Sequence, residues 1–263
     1  MRRIRLVVAY DGTNYSGWQM QKNATTIESE LAGALRNLLG KEVPLIGASR
    51  TDAGVHAMGN IAVFDTDSKI PQDKFAIALN HYLPEDIRVR YSDEVTSDYH
   101  PRYEKTVKTY EYTVLNCEIA LPAWRLYSYH VYRPLNIESM KAAAKLLEGE
   151  HDFSAFCSAG SQVKSKVRTV YEISIQETPL SFCAGHVLRF RVRGNGFLYN
   201  MVRIIVGTLL EVGMGRRTVE SVQEALATGE RQQAGPTAPP QGLMLAEIRH
   251  CDCEKKIEKD NDF

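Results

Sequence analysis

The sequence lacks the features that mark several classes of protein. It contains no Gly-rich phosphate loop and no dinucleotide fingerprint, so it predicts no nucleotide cofactor, and it offers no convincing set of metal ligands. No apolar run is long enough to span a bilayer, and the apolar stretch after the basic N-terminus is too short for a signal peptide. The five cysteines are odd in number and mostly far apart. This is unlike a secreted disulfide scaffold and favours a cytoplasmic protein without a membrane partner.

The charge balance excludes a molecule that attracts nucleic acid through its net charge. The 263 residues include 32 basic and 32 acidic side chains. Any RNA-binding site must therefore be a local patch of positive charge. With 44% hydrophobic residues, the chain is long enough to build two modest domains around real cores.

Periodicity predicts an α+β fold with two similar halves and mainly antiparallel sheets. Residues 1–103 show the order strand, helix, strand, strand, helix, strand, which is typical of a ferredoxin-like split βαβ sheet. Thr25 and Glu28 are expected to cap the first helix, which Gly40 ends. Residues 104–249 repeat the theme, with a second amphipathic helix between Asn136 and Gly149. Residues 250–263 form a charged tail.

The helix predicted over residues 197–212 is unusual because apolar residues surround it, so it should be buried. Arg203 lies inside it, and a guanidinium in such a place needs an anion. Asp52 is one candidate partner. A salt bridge with Glu211, or extension of the side chain to the surface, are the alternatives.

Residues 49–57 form a polar loop, SRTDAGVHA, directly after an apolar strand. An Asp two residues before Gly is most often part of an Asx turn, and this segment alone does not establish a catalyst. Pairing with Arg203 would keep Asp52 ionised even when shielded from water, as a nucleophile or base requires.

Several motifs together resemble the tRNA pseudouridine synthase A family. The resemblance rests on residues 10–19 (YDGTNYSGWQ), 49–57, 108–112 (KTYEY), 151–156 (HDFSAF), 167–170 (VRTV) and 194–203 (GNGFLYNMVR), and it extends to about residue 249. It implies the pseudouridine synthase fold, with two α/β halves whose sheets meet around a central cleft. It also implies a cofactor-free homodimer that modifies positions 38, 39 and 40 in the anticodon stem-loop of tRNA.

The resemblance also assigns roles to individual residues. It makes Asp52 the catalytic aspartate, Tyr110 the active-site tyrosine that stacks on the flipped uracil, and Arg203 the partner of Asp52. Arg50 is expected to help hold the nucleotide outside the RNA stack, or else to contact phosphate, and Leu243 to pack under the base. For Tyr110, packing in the core beside its neighbours is the default alternative.

Further residues are candidates for RNA contact. His56 lies close to the catalytic loop, where ordering that loop is the alternative to a direct role. Positive charge recurs at Arg168, Arg189 and Arg191, with more at Arg193 and near the N-terminus at Arg2, Arg3 and Arg5. For each group a solvated charged face is the common alternative. The rival functions are a non-catalytic RNA-binding protein with two ferredoxin-like domains, and a paralogue that modifies a different RNA site.

Overall fold

A computed structural model describes residues 1–160, 163–181 and 183–251. The described chain divides into two compact units, one formed by residues 1–106 and 244–251, the other by the described part of residues 107–243. The sequence-based division between residues 103 and 104 lies close to this boundary. The sequence-based division was different for the last strand, which it assigned to the second half. In the structure this strand packs in the first unit, although it follows the second unit in sequence.

The first unit is a split βαβ sheet. Its elements are β1 (Arg2–Tyr10), α1 (Ile27–Leu39), β2 (Ile46–Gly47), β3 (His56–Thr66), α2 (Phe75–Asn80) and β4 (Ile87–Val95). The strands lie in the order β4-β1-β3, with β2 on the far side of β3, and all of these pairs are antiparallel. This is the ferredoxin-like order predicted for the first half.

The start of α1 differs from the sequence-based prediction by one residue. Thr26 is the N-cap, and its side chain and that of Ser29 bond reciprocally to each other's backbone N–H. Glu28 is not the capping residue. Its buried carboxylate accepts hydrogen bonds from the Gln19 side chain and the Met20 N–H, which lie before the helix. The prediction that Thr25 and Glu28 cap the helix was wrong, because the Glu28 carboxylate is bound by residues outside the helix.

The second unit is an antiparallel sheet packed with helices. Its elements are β5 (Thr106–Cys117), β6 (Tyr129–Val131), α3 (Ile137–Lys145), β7 (Gly149–Asp152), β8 (Val167–Pro179), β9 (Gly185–Gly194), α4 (Met201–Gly213) and α5 (Glu220–Thr228). The strand order is β5-β9-β8-β7, with β6 pairing parallel to β5. Strands β7, β8 and β9 form a meander, so this order differs from that of the first unit.

The last strand, β10 (Leu243–His250), returns to the first unit. It pairs parallel to β3 at Met244 and Leu245. Its backbone passes so close to Gly59 of β3 that a Cβ there would lie 3.1 Å from the Ala246 carbonyl oxygen. The first unit therefore contains a strand that local sequence order does not assign to it.

Helix α4 is buried nearly all round, as its composition predicts, but begins at Met201 rather than Phe197. It packs against the chain at residues 235–238. A Cβ on Gly207 would lie 1.9 Å from the Pro236 carbonyl oxygen, and the Gly235 N–H donates to the Thr208 hydroxyl at 2.8 Å. Among the described residues, none of the helices has the length and apolar character needed to cross a membrane.

Candidate active site

Asp52 lies on the loop between β2 and β3, within a tight turn. The Val55 N–H donates to the Asp52 carbonyl at 3.2 Å, and Gly54 has a φ of 75°, which a residue with a side chain rarely adopts. Asp52 is half-buried, while Arg50 is exposed and Thr51 is buried. The buried Thr51 thus stands between two side chains, Arg50 and Asp52, that solvent or a substrate can reach.

Buried hydrogen bonds hold the residues before Asp52 to β1 and β3. The Asn60 side chain accepts from the Ser49 N–H at 3.3 Å and donates to the Ser49 carbonyl at 3.0 Å. It also donates to the Tyr10 hydroxyl, at 3.3 Å, and that hydroxyl lies 2.7 Å from the Thr51 hydroxyl. Since Asn60 supplies a proton to the Tyr10 oxygen, Tyr10 can donate its own to Thr51. This network fixes the residue immediately before Asp52.

The glycines of residues 10–19 let that segment approach the loop of Asp52 closely. A Cβ on Gly12 would lie 2.1 Å from the Val55 carbonyl oxygen, and one on Gly17, where φ is 84°, would lie 2.6 Å from the Thr51 carbonyl oxygen. The Trp18 N–H donates to that Thr51 carbonyl at 3.0 Å. The two segments that carry the resemblance in this half therefore form one interlocked structure around Asp52.

His56 is buried at the start of β3, where its ring is tied to the turn after β1. Its Nδ1 accepts a hydrogen bond from the Gly12 N–H at 3.1 Å and lies 3.1 Å from a carboxylate oxygen of Asp11. These contacts favour a role in ordering the loop. Direct contact between His56 and RNA stays a prediction.

Tyr110 and Tyr112 lie on the same face of β5 but have different surroundings. The Tyr110 ring meets Phe197 edge to face at 5.3 Å between centroids. Tyr112 is fully buried and its hydroxyl donates to the Pro239 carbonyl at 2.7 Å. Burial raises the Tyr112 pKa far above its usual range, so this phenol stays protonated and serves the core.

Arg203 is half-buried on the first turn of α4, and the protein holds its guanidinium at two points. Its Nε donates to the Ala238 carbonyl and its Nη1 to the Asn200 side-chain oxygen, both at 2.7 Å. The carboxylate of Glu211, considered above as a partner, is bound by Arg217. The pairing of Arg203 with Asp52 stays a prediction.

The basic residues of β9 alternate with core residues as the sequence predicts. Leu188, Phe190 and Val192 are fully buried, whereas Arg189 and Arg191 are exposed. Val192 lies directly opposite Tyr110 on β5, so Tyr110 is on the core face of the sheet. Successive side chains of a strand point to opposite faces. Arg189 and Arg191 therefore do not share a face with Tyr110, and their predicted contact with RNA belongs to a separate surface.

Other predicted basic contacts are engaged within the protein. Arg2, Arg3 and Arg5 form ion pairs with acidic residues of β3 and β4. Arg193 pairs with Glu172 at 3.2 Å. These four guanidiniums are neutralised by their partners and add little to a field that attracts phosphate.

Two further predicted substrate contacts are partly or fully buried. Arg168 is half-buried and donates to the Ser165 and Val167 carbonyls, and its burial lowers the pKa of the guanidinium. Leu243 is buried at the beginning of β10. Contact of either residue with substrate stays a prediction.

The protein-family model described as tRNA pseudouridine synthase matches residues 6–104 and 143–250. The chain is also similar to tRNA pseudouridine synthase A of Acetivibrio thermocellus, with 46% identity over 248 residues, covering 94% of this chain and 99% of that protein. The corresponding protein of Thermoanaerobacter sp. is 48% identical over 248 residues, with the same coverage. This chain belongs to the tRNA pseudouridine synthase family.

As a member of the tRNA pseudouridine synthase family, the chain is an isomerase that converts uridine to pseudouridine in tRNA. The family resemblance and the α+β fold inferred from the sequence are confirmed. Sequence reasoning missed Asn60 and Asn200, which bind the loop of Asp52 and the guanidinium of Arg203, respectively. A polar residue in an apolar strand, and an Asn before an apolar helix, were the available signals.

Proposed function

We propose that this tRNA pseudouridine synthase modifies uridines 38, 39 and 40 in the anticodon stem-loop and uses the Asp52 carboxylate for the reaction. The observation that supports Asp52 is the structure of its loop. Residues before it are held by buried hydrogen bonds, and a glycine backbone lies close to residues on both sides of it, while its own side chain is half-buried. Such preorganisation places a reactive group with little freedom to move.

The reaction explains why an ionised carboxylate is required. The bond from N1 of uracil to C1′ of the ribose breaks, the base turns while it is retained, and C5 bonds to C1′; C5 loses its proton and N1 gains one, so the product is an isomer of uridine. Asp52 either attacks C1′ or takes a proton from C2′. A primary isotope effect with deuterium at C2′ would select proton removal, and its absence would select attack at C1′.

The other proposed roles come from the motifs and from the chemistry of each residue. Tyr110 stacks on the extruded uracil and Leu243 packs under it, while Arg50, exposed two residues before Asp52, holds the nucleotide outside the RNA stack. Arg203 keeps Asp52 ionised. Because Asp52 and Arg203 belong to different units, a double-mutant cycle with Asp52→Glu and Arg203→Lys is the direct test of their coupling.

Replacing the catalytic carboxylate is the decisive experiment. Asp52→Asn keeps the size of the side chain, so it should abolish pseudouridine formation in an unmodified tRNA transcript without cofactor, while tRNA binding stays nearly unchanged. Asp67→Asn is the matched control, since Asp67 is an exposed carboxylate paired with Lys41, and it should remain fully active. Retained turnover in Asp52→Asn would remove the assignment.

The target positions and the assembly need separate measurements. Carbodiimide-dependent stops in reverse transcription of treated tRNA should fall at positions 38, 39 and 40. Stops elsewhere would identify a different specificity within the family. Sedimentation equilibrium should give the mass of a homodimer, and a monomer mass at working concentrations would contradict that part of the proposal.

RNA contact by the exposed face of β9 can be tested with two variants. One replaces an arginine that lies opposite uncharged residues, and the other replaces an arginine in an ion pair. Arg189 lies between Thr113 and Gln176 on the neighbouring strands, which are uncharged, whereas Arg193 is paired with Glu172. Arg189→Ala should weaken tRNA binding and reduce its salt dependence, and Arg193→Ala should change both less. Equal effects would indicate that this face does not bind RNA through its unneutralised charge.

A further inference from the structure

The residue before helix α4 has an unusual backbone conformation. Asn200 has a φ of 61°, and among the described residues it is the one position other than glycine with a positive φ. Asn tolerates the left-handed region better than most residues, yet the conformation is still strained relative to ordinary backbone. Backbone strain of this kind persists where surrounding contacts hold the residue in place, and it is common at functional sites.

The side chain of Asn200 does not perform the task expected at this position. Asn200 is the N-cap of α4, and an N-cap Asn usually accepts a hydrogen bond from the first turn of its own helix. Here no such bond forms. The carboxamide is directed to two other side chains, accepting from Arg203 Nη1 at 2.7 Å and donating to the Ser158 hydroxyl at 2.9 Å.

The chemistry of these partners determines the orientation of the carboxamide. A guanidinium only donates hydrogen bonds, so the Asn200 oxygen must face Arg203 and its nitrogen must face Ser158. Ser158 is itself fixed, because its N–H donates to the Tyr199 carbonyl at 3.1 Å. Together with the bond from Arg203 Nε to Ala238, the Asn200 bond fixes two of the three guanidinium nitrogens and so the plane of the group.

We propose that Asn200 is a positioning residue that orients the Arg203 guanidinium for catalysis. This inference rests on the proposed function, in which Arg203 keeps Asp52 ionised. Asn200, with its left-handed backbone, directs its carboxamide at the Arg203 side chain and not at the backbone N–H groups of the first turn, and Ser158 holds it there. Planar guanidiniums act through directed hydrogen bonds, so a free rotation of Arg203 would weaken its action without removing its charge.

Asn200→Gly is a clean variant with which to test this. Glycine adopts a positive φ without strain, so the fold should be retained, and only the carboxamide is lost. We expect kcat to fall at least tenfold, measured at saturating tRNA as tritium release from uridine labelled at C5, with the Kd for tRNA changed less than twofold. Ser158→Ala should give a smaller loss in kcat. An unchanged kcat in Asn200→Gly would overturn the inference.

A double-mutant cycle separates positioning from general support of the fold. In an Arg203→Lys background, Asn200→Gly should lower kcat less than twofold, since the fork that Asn200 orients is gone. The same loss in both backgrounds would overturn the inference and indicate an effect independent of Arg203. If Arg203→Lys itself leaves kcat unchanged, the proposed role of Arg203 fails first, and with it the basis for Asn200.

Discussion

Gly12 offers the sharpest test of the idea that residues 10–19 shape the loop of Asp52 and that this loop is catalytic. A Cβ at this position would lie 2.1 Å from the Val55 carbonyl oxygen and 2.6 Å from its carbonyl carbon. Ordinary contacts begin near 3.4 Å, so Gly12→Ala requires a relative movement of about 1.3 Å. Backbone atoms cannot turn away as a flexible side chain does. The Val55 N–H is bonded to the Asp52 carbonyl, so the displacement passes to Asp52.

The expected losses follow from that displacement. Overpacking of this kind costs about 1–3 kcal/mol of stability. A misplacement near 1 Å at a catalytic group lowers the rate roughly 100-fold, which corresponds to about 2.7 kcal/mol in the activation barrier. Gly12→Ala should therefore lower kcat by about two orders of magnitude while the protein remains folded at 25 °C.

The value of kcat is measured as pseudouridine formation at saturating tRNA. Stability is measured as thermal unfolding followed by circular dichroism. Gly33→Ala is the matched control, because Gly33 lies in α1 and a Cβ there meets no atom within 4 Å. It should keep full activity and gain about 0.5–1 kcal/mol from helix propensity. Activity of Gly12→Ala within threefold of the parent protein would refute the inference that this contact fixes the loop.

Three further changes test individual contacts. Tyr10→Phe removes a buried hydroxyl that bonds the loop of Asp52, so chemical denaturation should show a loss of about 1–3 kcal/mol and kcat should fall; unaltered values of both would contradict the network. Tyr112→Phe removes a hydroxyl bond to a main-chain carbonyl and should cost about 1–2 kcal/mol with little change in kcat, whereas a large loss of kcat with stability intact would place this phenol in the chemistry. The hydrogen bond and charge of Arg3 lower the pKa of Asp65, so the stability that Asp65 adds is fully present above the pKa of the unfolded chain and is lost as the pH falls through the folded value. The difference in unfolding free energy from Asp65→Asn should be below about 1 kcal/mol at pH 7, since the pair is partly exposed, and should shrink below about pH 4; a difference that grows in acid would contradict the assignment.

Short-range patterns determined much of this protein. Alternation along β9 correctly separates Leu188, Phe190 and Val192 from the exposed arginines, and the all-round apolar composition of α4 correctly indicates burial. These features depend on periodicities of two and 3.6 residues, which a sequence displays directly. The ordered motifs identified the family, because their combination over most of the chain is specific.

Contacts between segments distant in sequence determined the features that periodicity did not predict. Glu28 binds Gln19 instead of capping its helix, and Gly12 lies against Val55. Strand β10 pairs with β3, which precedes it by nearly 190 residues. The conformation of Asn200 likewise depends on Ser158, which precedes it by 42 residues. Such pairings leave no periodic trace, because their energy comes from packing and hydrogen bonds formed only when the chain has folded. Sequence thus named the candidate site residues, and tertiary structure determined what holds their segments in place.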